Sequence, residues 1–229
     1  MKNHLKRLHA PKRWDILRKT STFIARPNPG AHKFEQGVPA VVLLRDMINV
    51  ANNAKEVKYI VTKYEFKVDG RKRNDFRYNV GLMDVISMPL SKENYRVVLN
   101  KKGKLSAVKI DDKEAAIKPC KIIGKKMNGK KFQLSTHDGR NILVDKNDYN
   151  TGDTLVIEVP SQKIVEHLKL QPNMLAYLVG GKHAGSTGII ESIEGNKVFY
   201  KEESGKVLQT PKEYVFVLGT SKSIIKIIE

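Results

Sequence analysis

A chain of 229 residues is long enough for more than one compact unit, since domains commonly run to roughly 100 to 150 residues. Its 42 Lys and Arg against 24 Asp and Glu give a net charge of +18, a field that attracts polyanions, nucleic acid first among them. A membrane-surface partner would ask for a long amphipathic helix with a bulky apolar face, and runs such as "AVVLL" and "LVIEV" are too short to span a bilayer.

The single cysteine, Cys120, excludes a disulfide framework and any multi-cysteine zinc site, and it fits a reducing compartment. The six histidines show no HExxH spacing and no carboxylate cluster. They read as surface or RNA-facing residues, and no metal, cofactor or small-molecule substrate is expected.

In chain order, residues 1–38 come first. The opening 35 residues hold nine basic and two acidic side chains and end in the Pro- and Gly-punctuated "ARPNPGAHKF". They read as a basic arm, mobile when free and ordered along phosphates, with Lys6, Arg7, Lys12, Arg13, Arg18 and Lys19 as contacts. A solubilising tail is the bland alternative. Trp14, Ile16 and Leu17 form an apolar patch suited to docking on a folded surface. The start "MKNHLKRLHAPKRWDILRK" has no apolar h-region, so a secretory signal is not expected.

Residues 39–90 change character. In "PAVVLLRDMINVANNAKEVKYIV" the spacing of Val41, Leu44, Ile48 and Ala51 predicts one buried helical face. Asn52 and Asn53 supply a stop and an N-cap, and a second short helix presents Val57, Ile60 and Val61 inward. A hairpin follows, turning at Asp69-Gly70. Arg45, Lys55, Lys58, Lys63, Arg71, Lys72, Arg73 and Arg77 fall outside the predicted apolar face and are expected to line one basic groove; a solvated charged surface is the plainer reading of any single lysine.

Residues 91–171 read as a β-rich domain with turns at Asn128-Gly129 and Asp138-Gly139. In "GKKMNGKKF", Lys125, Lys126, Lys130 and Lys131 flank a turn where they are placed to grip a backbone without reading sequence, with a solvated loop as the near-equal alternative. "SQKIVEHLKL" is expected as a short helix. Residues 172–229 carry five strand-like runs. Within them, "YLVGGKHAGSTGII" suggests a phosphate-binding loop, but its glycine and lysine intervals are wrong for one and strand follows instead of helix. Its glycines are assigned to tight bends, with Lys182 and His183 as RNA-facing groups. No carboxylate accompanies Ser186 and His183, so a catalytic triad is not expected. The fold class is therefore α+β and multi-module: a small α/β module, a β-barrel-like central domain and a last small β module.

Two stretches resemble known motifs. "VLLRDMINVANNAKEVKYIVTKYEFKVDGRKRNDFRYNVGLMDVI" resembles the αL-type RNA-binding module, with Gly70 at its turn. "AYLVGGKHAGSTGII" is similar to the KOW motif of SH3-like barrels, with signature glycines at Gly181, Gly185 and Gly188. Their order after a basic N-terminal segment resembles the archaeal and eukaryotic-type number-four protein family of the small ribosomal subunit, the archaeal form in particular. That resemblance implies a cytoplasmic, non-enzymatic ribosomal protein whose partners are small-subunit rRNA and neighbouring ribosomal proteins. An RNA-modifying enzyme and a KOW-type transcription-elongation factor remain the alternatives.

Overall fold

A computed structural model describes residues 4–202, 205–220 and 223–227. The chain forms two compact units, one running up to Val98 and adding Lys104–Ala116, the other made of Leu99–Gly103 and the chain from Ile117 onward. Among the described residues the structure is mostly strand with few helices, and no helix is long and apolar enough to cross a membrane.

In the first unit β1 (Leu5–Lys6) pairs with β2 (Phe23–Ile24), and β3 (Gly37–Pro39) leads into α1 (Ala40–Val42) and then α2 (Ala54–Lys63). Strands β4 (Lys67–Val68), β5 (Arg71–Lys72), β6 (Asn79–Gly81), β7 (Val85–Met88), β8 (Glu93–Leu99) and β9 (Leu105–Ile110) follow, then the single turn α3 (Asp112–Ala115). Five of them form a sheet in the order β5-β4-β7-β8-β9, while β3 pairs with β6.

The helix expected through Ala51 ends earlier. After α1 the backbone widens at Leu43–Met47, where Ile48 donates to the Leu43 carbonyl five residues back (2.9 Å), and Asn49 turns left-handed with φ 61°. Asn tolerates that region better than most residues. Val41 and Leu44 are buried on the helical segment, Ile48 is half-buried, and Ala51 reaches the core from the connecting loop.

Helix α2 starts where the sequence places its cap. Asn53 Oδ1 accepts from the Lys55 and Glu56 amides (3.0 Å each), and Glu56 reaches back to the Asn52 amide (2.8 Å), a reciprocal capping arrangement. Val57 and Val61 face the core. The β4–β5 turn has Asp69 at φ 50° and Gly70 at φ 71°, both left-handed, as a tight primed hairpin turn requires.

The N-terminal segment is a packed layer of this unit, not a free arm. Trp14 is 1% exposed, donates its indole N–H to the Gly37 carbonyl (2.7 Å), and bridges Leu105. One large aromatic outweighs the scattered charge around it. His32, read as a surface histidine, is buried with Nε2 2.9 Å from Asp84 Oδ2.

In the second unit β10 (Ile117–Asn128), β11 (Lys131–Thr136), β12 (Asn141–Val144), β13 (Thr154–Glu158) and β14 (Ile164–Leu168) form one sheet, ordered β12-β11-β10-β13-β14. Strand β10 serves both sides in turn: Ile117–Lys121 pairs with β13, and from Ile122 onward it pairs with β11, with a bulge between Ile122 and Gly124. The expected helix in "SQKIVEHLKL" is instead strand β14, paired antiparallel with β13. The five later runs are β15 (Leu175–Leu178), β16 (Thr187–Glu194), β17 (Lys197–Glu202), β18 (Val207–Pro211) and β19 (Val215–Gly219), in the order β18-β17-β16-β15-β19. Cys120, Ile122, Leu134, Leu155 and Ile157 anchor one core of this unit; Ala176, Leu178, Ile190, Val198 and Val215 anchor the other.

Gly181 (φ 78°) and Gly185 (φ 92°) make the bend before β16. Gly188, expected at the turn, lies within β16, where a Cβ would stand 2.7 Å from the Lys201 carbonyl oxygen. It is needed there for close strand approach.

Candidate nucleic-acid interface

The cations separate into those the fold uses and those it leaves in water. Arg7, expected on the RNA, is 5% exposed: it donates to the Leu17 carbonyl (2.5 Å) and lies 3.7 Å from Asp46. Arg18 donates to the carbonyls of Ala10 (2.8 Å) and Pro11 (2.9 Å). A guanidinium presents several donors in a fixed fork, so it satisfies a turn's carbonyls as readily as a phosphate. Arg13 is half-buried and its carbonyl accepts from Leu105 N (2.7 Å). Lys6, Lys12 and Lys19 are exposed.

A cavity of about 870 Å³ opens in the first unit beside this segment. Its charged walls are paired with each other, Lys104 with Asp15 (2.9 Å) and Arg45 with Asp46 (2.7 Å), which leaves little net charge for an anion.

On α2, Lys55, Lys58 and Lys63 are exposed, as are Arg71 and Lys72 on β5. Arg73 and Arg77 are half-buried. Their guanidinium groups stack on Tyr78 (4.5 Å) and Phe76 (5.4 Å), and the Nε atom of each is buried without a hydrogen-bond partner. Stacking fixes each guanidinium plane while its outer edge keeps donors for an anion. The structure thus brings Arg71, Lys72 and Arg73 onto one hairpin, whereas Arg45 is taken up by Asp46.

In the second unit, Lys126 and Lys130 are exposed around the Asn128-Gly129 turn. Lys125 folds inward, over the Phe132 ring (5.1 Å) and onto the Tyr149 carbonyl (2.7 Å), and Lys131 pairs with Asp145 (3.1 Å). Lys182 is exposed. His183 is half-buried, and its backbone carbonyl accepts the Ser186 hydroxyl (2.8 Å). That bond holds the bend and gives no nucleophile–base pair.

Two buried groups invite a chemical reading that their surroundings answer. Burial pushes the Lys121 ammonium down to about 8, the sort of shift that attends catalytic lysines. Yet it is clamped by the carbonyls of Lys212 (3.0 Å), Glu213 (2.8 Å) and Val215 (2.7 Å), with no side left for a substrate. Cys120, His137 and Asp138 bring ligand-type atoms within 4.8 Å of one another. Asp138 Oδ2, however, already has Lys118 Nζ and Arg140 Nε at 2.9 Å each. A metal cation would meet two resident positive charges. Sequence reading missed these structural roles because nothing in a lysine's neighbours distinguishes a buried ammonium from a solvated one. It also passed over the exposed aromatic pair Tyr59 and Tyr64, whose rings meet at 5.4 Å and 82°. The signal was available, since Tyr59 sits four residues from both Lys55 and Lys63.

A family model described as ribosomal family S4e matches residues 91–164, and one for the RS4NT domain matches residues 1–35. The chain is 40% identical over 240 residues to small ribosomal subunit protein eS4 of Methanocaldococcus jannaschii, a match covering 99% of this chain and 98% of that one. The chain belongs to ribosomal family S4e. Its counterpart in Methanocella arvoryzae is 40% identical over 231 residues, covering 98% and 97% of the two chains. A crystal structure of the 30S ribosomal protein S4e from Thermoplasma acidophilum superposes with a TM-score of 0.72 at 35% identity, over 83% of this chain and 99% of that one. The S4e fold thus accounts for the mostly β architecture.

Proposed function

We propose that this chain is a structural constituent of the small ribosomal subunit, without enzymatic activity, that binds folded small-subunit rRNA in the cytoplasm and stabilises it beside neighbouring ribosomal proteins. The observation that carries the reading is the near full-length match to proteins named for the small subunit. The readings as an RNA-modifying enzyme or an elongation factor are not favoured by relatives that share almost the whole chain. Within this proposal, residues 1–38 form a basic N-terminal extension, 39–90 an αL-type RNA-binding module, 91–171 a central β domain, and 172–229 a KOW module of SH3-like type.

The chemistry that supports it is exposed positive charge on a rigid scaffold. Duplex RNA hides its base edges in a deep groove, so proteins meet it through phosphate, 2′-OH and shape. Lys6, Lys12, Lys19, Arg71, Lys72, Arg73, Lys126, Lys130 and Lys182 are the groups assigned to those contacts. Arg7, Arg18 and Lys125 act instead by fixing the backbone that presents them.

The test has two parts. A native extract sedimented at low and high salt should carry the chain with the small subunit; migration as free protein would overturn the proposal. Arg71→Ala/Lys72→Ala/Arg73→Ala should weaken rRNA affinity and flatten its dependence on salt by about one unit of slope per lost phosphate contact. An unchanged slope would remove the β4–β5 hairpin from the interface.

A further inference from the structure

We infer that Tyr59 and Tyr64 form a stacking platform for an unpaired RNA base, with Lys55, Lys58 and Lys63 holding the phosphates beside it. The inference rests on the RNA-binding reading above and adds a mode of contact that backbone neutralisation does not supply.

Single aromatic side chains on a surface need no explanation. Here two are in contact, with Tyr59 55% exposed and Tyr64 37% exposed. Lys55, Tyr59 and Lys63 follow one another at intervals of four along α2 and so lie on one ridge of the helix, opposite the buried Val57 and Val61. Among the described residues none of Lys55, Lys58 and Lys63 makes an ion pair. The two nearby carboxylates are engaged elsewhere: Glu56 with the Asn52 amide (2.8 Å) and Asn53 Nδ2 (2.6 Å), Glu65 with Lys67 (3.4 Å).

An A-form duplex offers this ridge only its sugar-phosphate edges, which have no face to lay on a ring. A base that has left its stack has one, and stacking on tyrosine between cations is how single strands are held without sequence preference. Three unpaired ammonium groups around the rings favour a polyanion over an apolar protein partner.

The experiment uses the full chain with two probes: a short single-stranded RNA carrying 2-aminopurine, whose fluorescence falls on stacking, and an A-form duplex of equal length. Tyr59→Ala/Tyr64→Ala should weaken single-strand binding about tenfold or more and abolish the quenching, while duplex affinity and the salt slope stay unchanged. Tyr59→Phe/Tyr64→Phe should keep the quenching, because the rings remain. Lys55→Ala/Lys58→Ala/Lys63→Ala should flatten the salt slope. Both tyrosines lie on the solvent side, and circular dichroism checks that each variant is folded. If the alanine pair binds the single strand like the parent, or loses both probes equally, the stacking platform is wrong while RNA binding stands. If the parent binds neither probe, the RNA-binding reading falls with it.

Discussion

Asp138→Ala tests a buried carboxylate that holds two cations, Lys118 Nζ and Arg140 Nε, at 2.9 Å each. The carboxylate is 3% exposed and Lys118 is fully buried, with Nζ 2.9 Å from Oδ2; Oδ1 accepts from the Thr136 hydroxyl (2.5 Å). Removing the acid takes the carboxylate at 2.9 Å away from a buried ammonium, and breaking a buried pair in this way typically costs about 3–5 kcal/mol. Replacing both partners by apolar groups, Lys118→Met with Asp138→Leu, removes the desolvation penalty too and should recover most of that loss. Urea unfolding followed by circular dichroism gives the magnitude, and hydrogen exchange of the Thr154–Glu158 amides reports the adjoining core. A loss below about 1 kcal/mol for the single variant, or a double variant no better than it, would refute the reasoning. The pH dependence has a definite sign. Burial alone would raise the Asp138 carboxyl, but Lys118, His137 and the Thr136 hydroxyl outweigh it and hold it well below its ordinary 3.8. A depressed acid contributes stability that is present above the unfolded value and lost as pH falls below it toward the folded one. The parent should therefore lose this contribution only below about pH 4, and the alanine variant should show a shallower acid limb.

Gly185→Ala should destabilise by about 3 kcal/mol, since left-handed strain and overpacking each come to roughly 1–3 kcal/mol: at φ 92° its Cβ would stand 1.9 Å from the Asn100 carbonyl oxygen. Gly129→Ala at φ 61° meets nothing within 4 Å and should cost only about 1 kcal/mol, both variants being read by urea unfolding. Equal losses would show that contact with Asn100 is unimportant. Trp14→Ala should cost about 3–5 kcal/mol, followed by circular dichroism because the chain's only tryptophan is then gone; a loss under about 1 kcal/mol would mean that the N-terminal layer is not held by this side chain.

What the sequence made legible was local. The Asn53 cap with Glu56 three residues on, the Asp69-Gly70 turn and the five runs of β15 to β19 each carry their instruction in adjacent residues. What it hid depends on distant partners. "SQKIVEHLKL" has apolar residues at Ile164, Val165, Leu168 and Leu170 that suit a helix, but pairing with β13 and the 2.8 Å contact of His167 with Asp153 decide for strand. The basic arm is a similar case, because whether an arginine faces phosphate or its own carbonyls depends on where Trp14 docks. For the interface, the sequence supplied the list of cations and the structure divided it into those already bound and those still solvated.

The short segment Leu99–Gly103 belongs with the second unit although the chain on both sides of it belongs with the first. Tyr177 treats it as a neighbouring strand would: the phenol donates to the Leu99 carbonyl (2.8 Å) and accepts from the Leu99 amide (2.7 Å), while Gly185 leaves room for the Asn100 carbonyl. The backbone therefore passes between the units at three places, after Val98, Gly103 and Ala116. A fragment beginning at Ile117 would carry Tyr177 and Gly185 without the strand they are shaped to receive, and a protease that cut one crossing would leave the halves still joined by two.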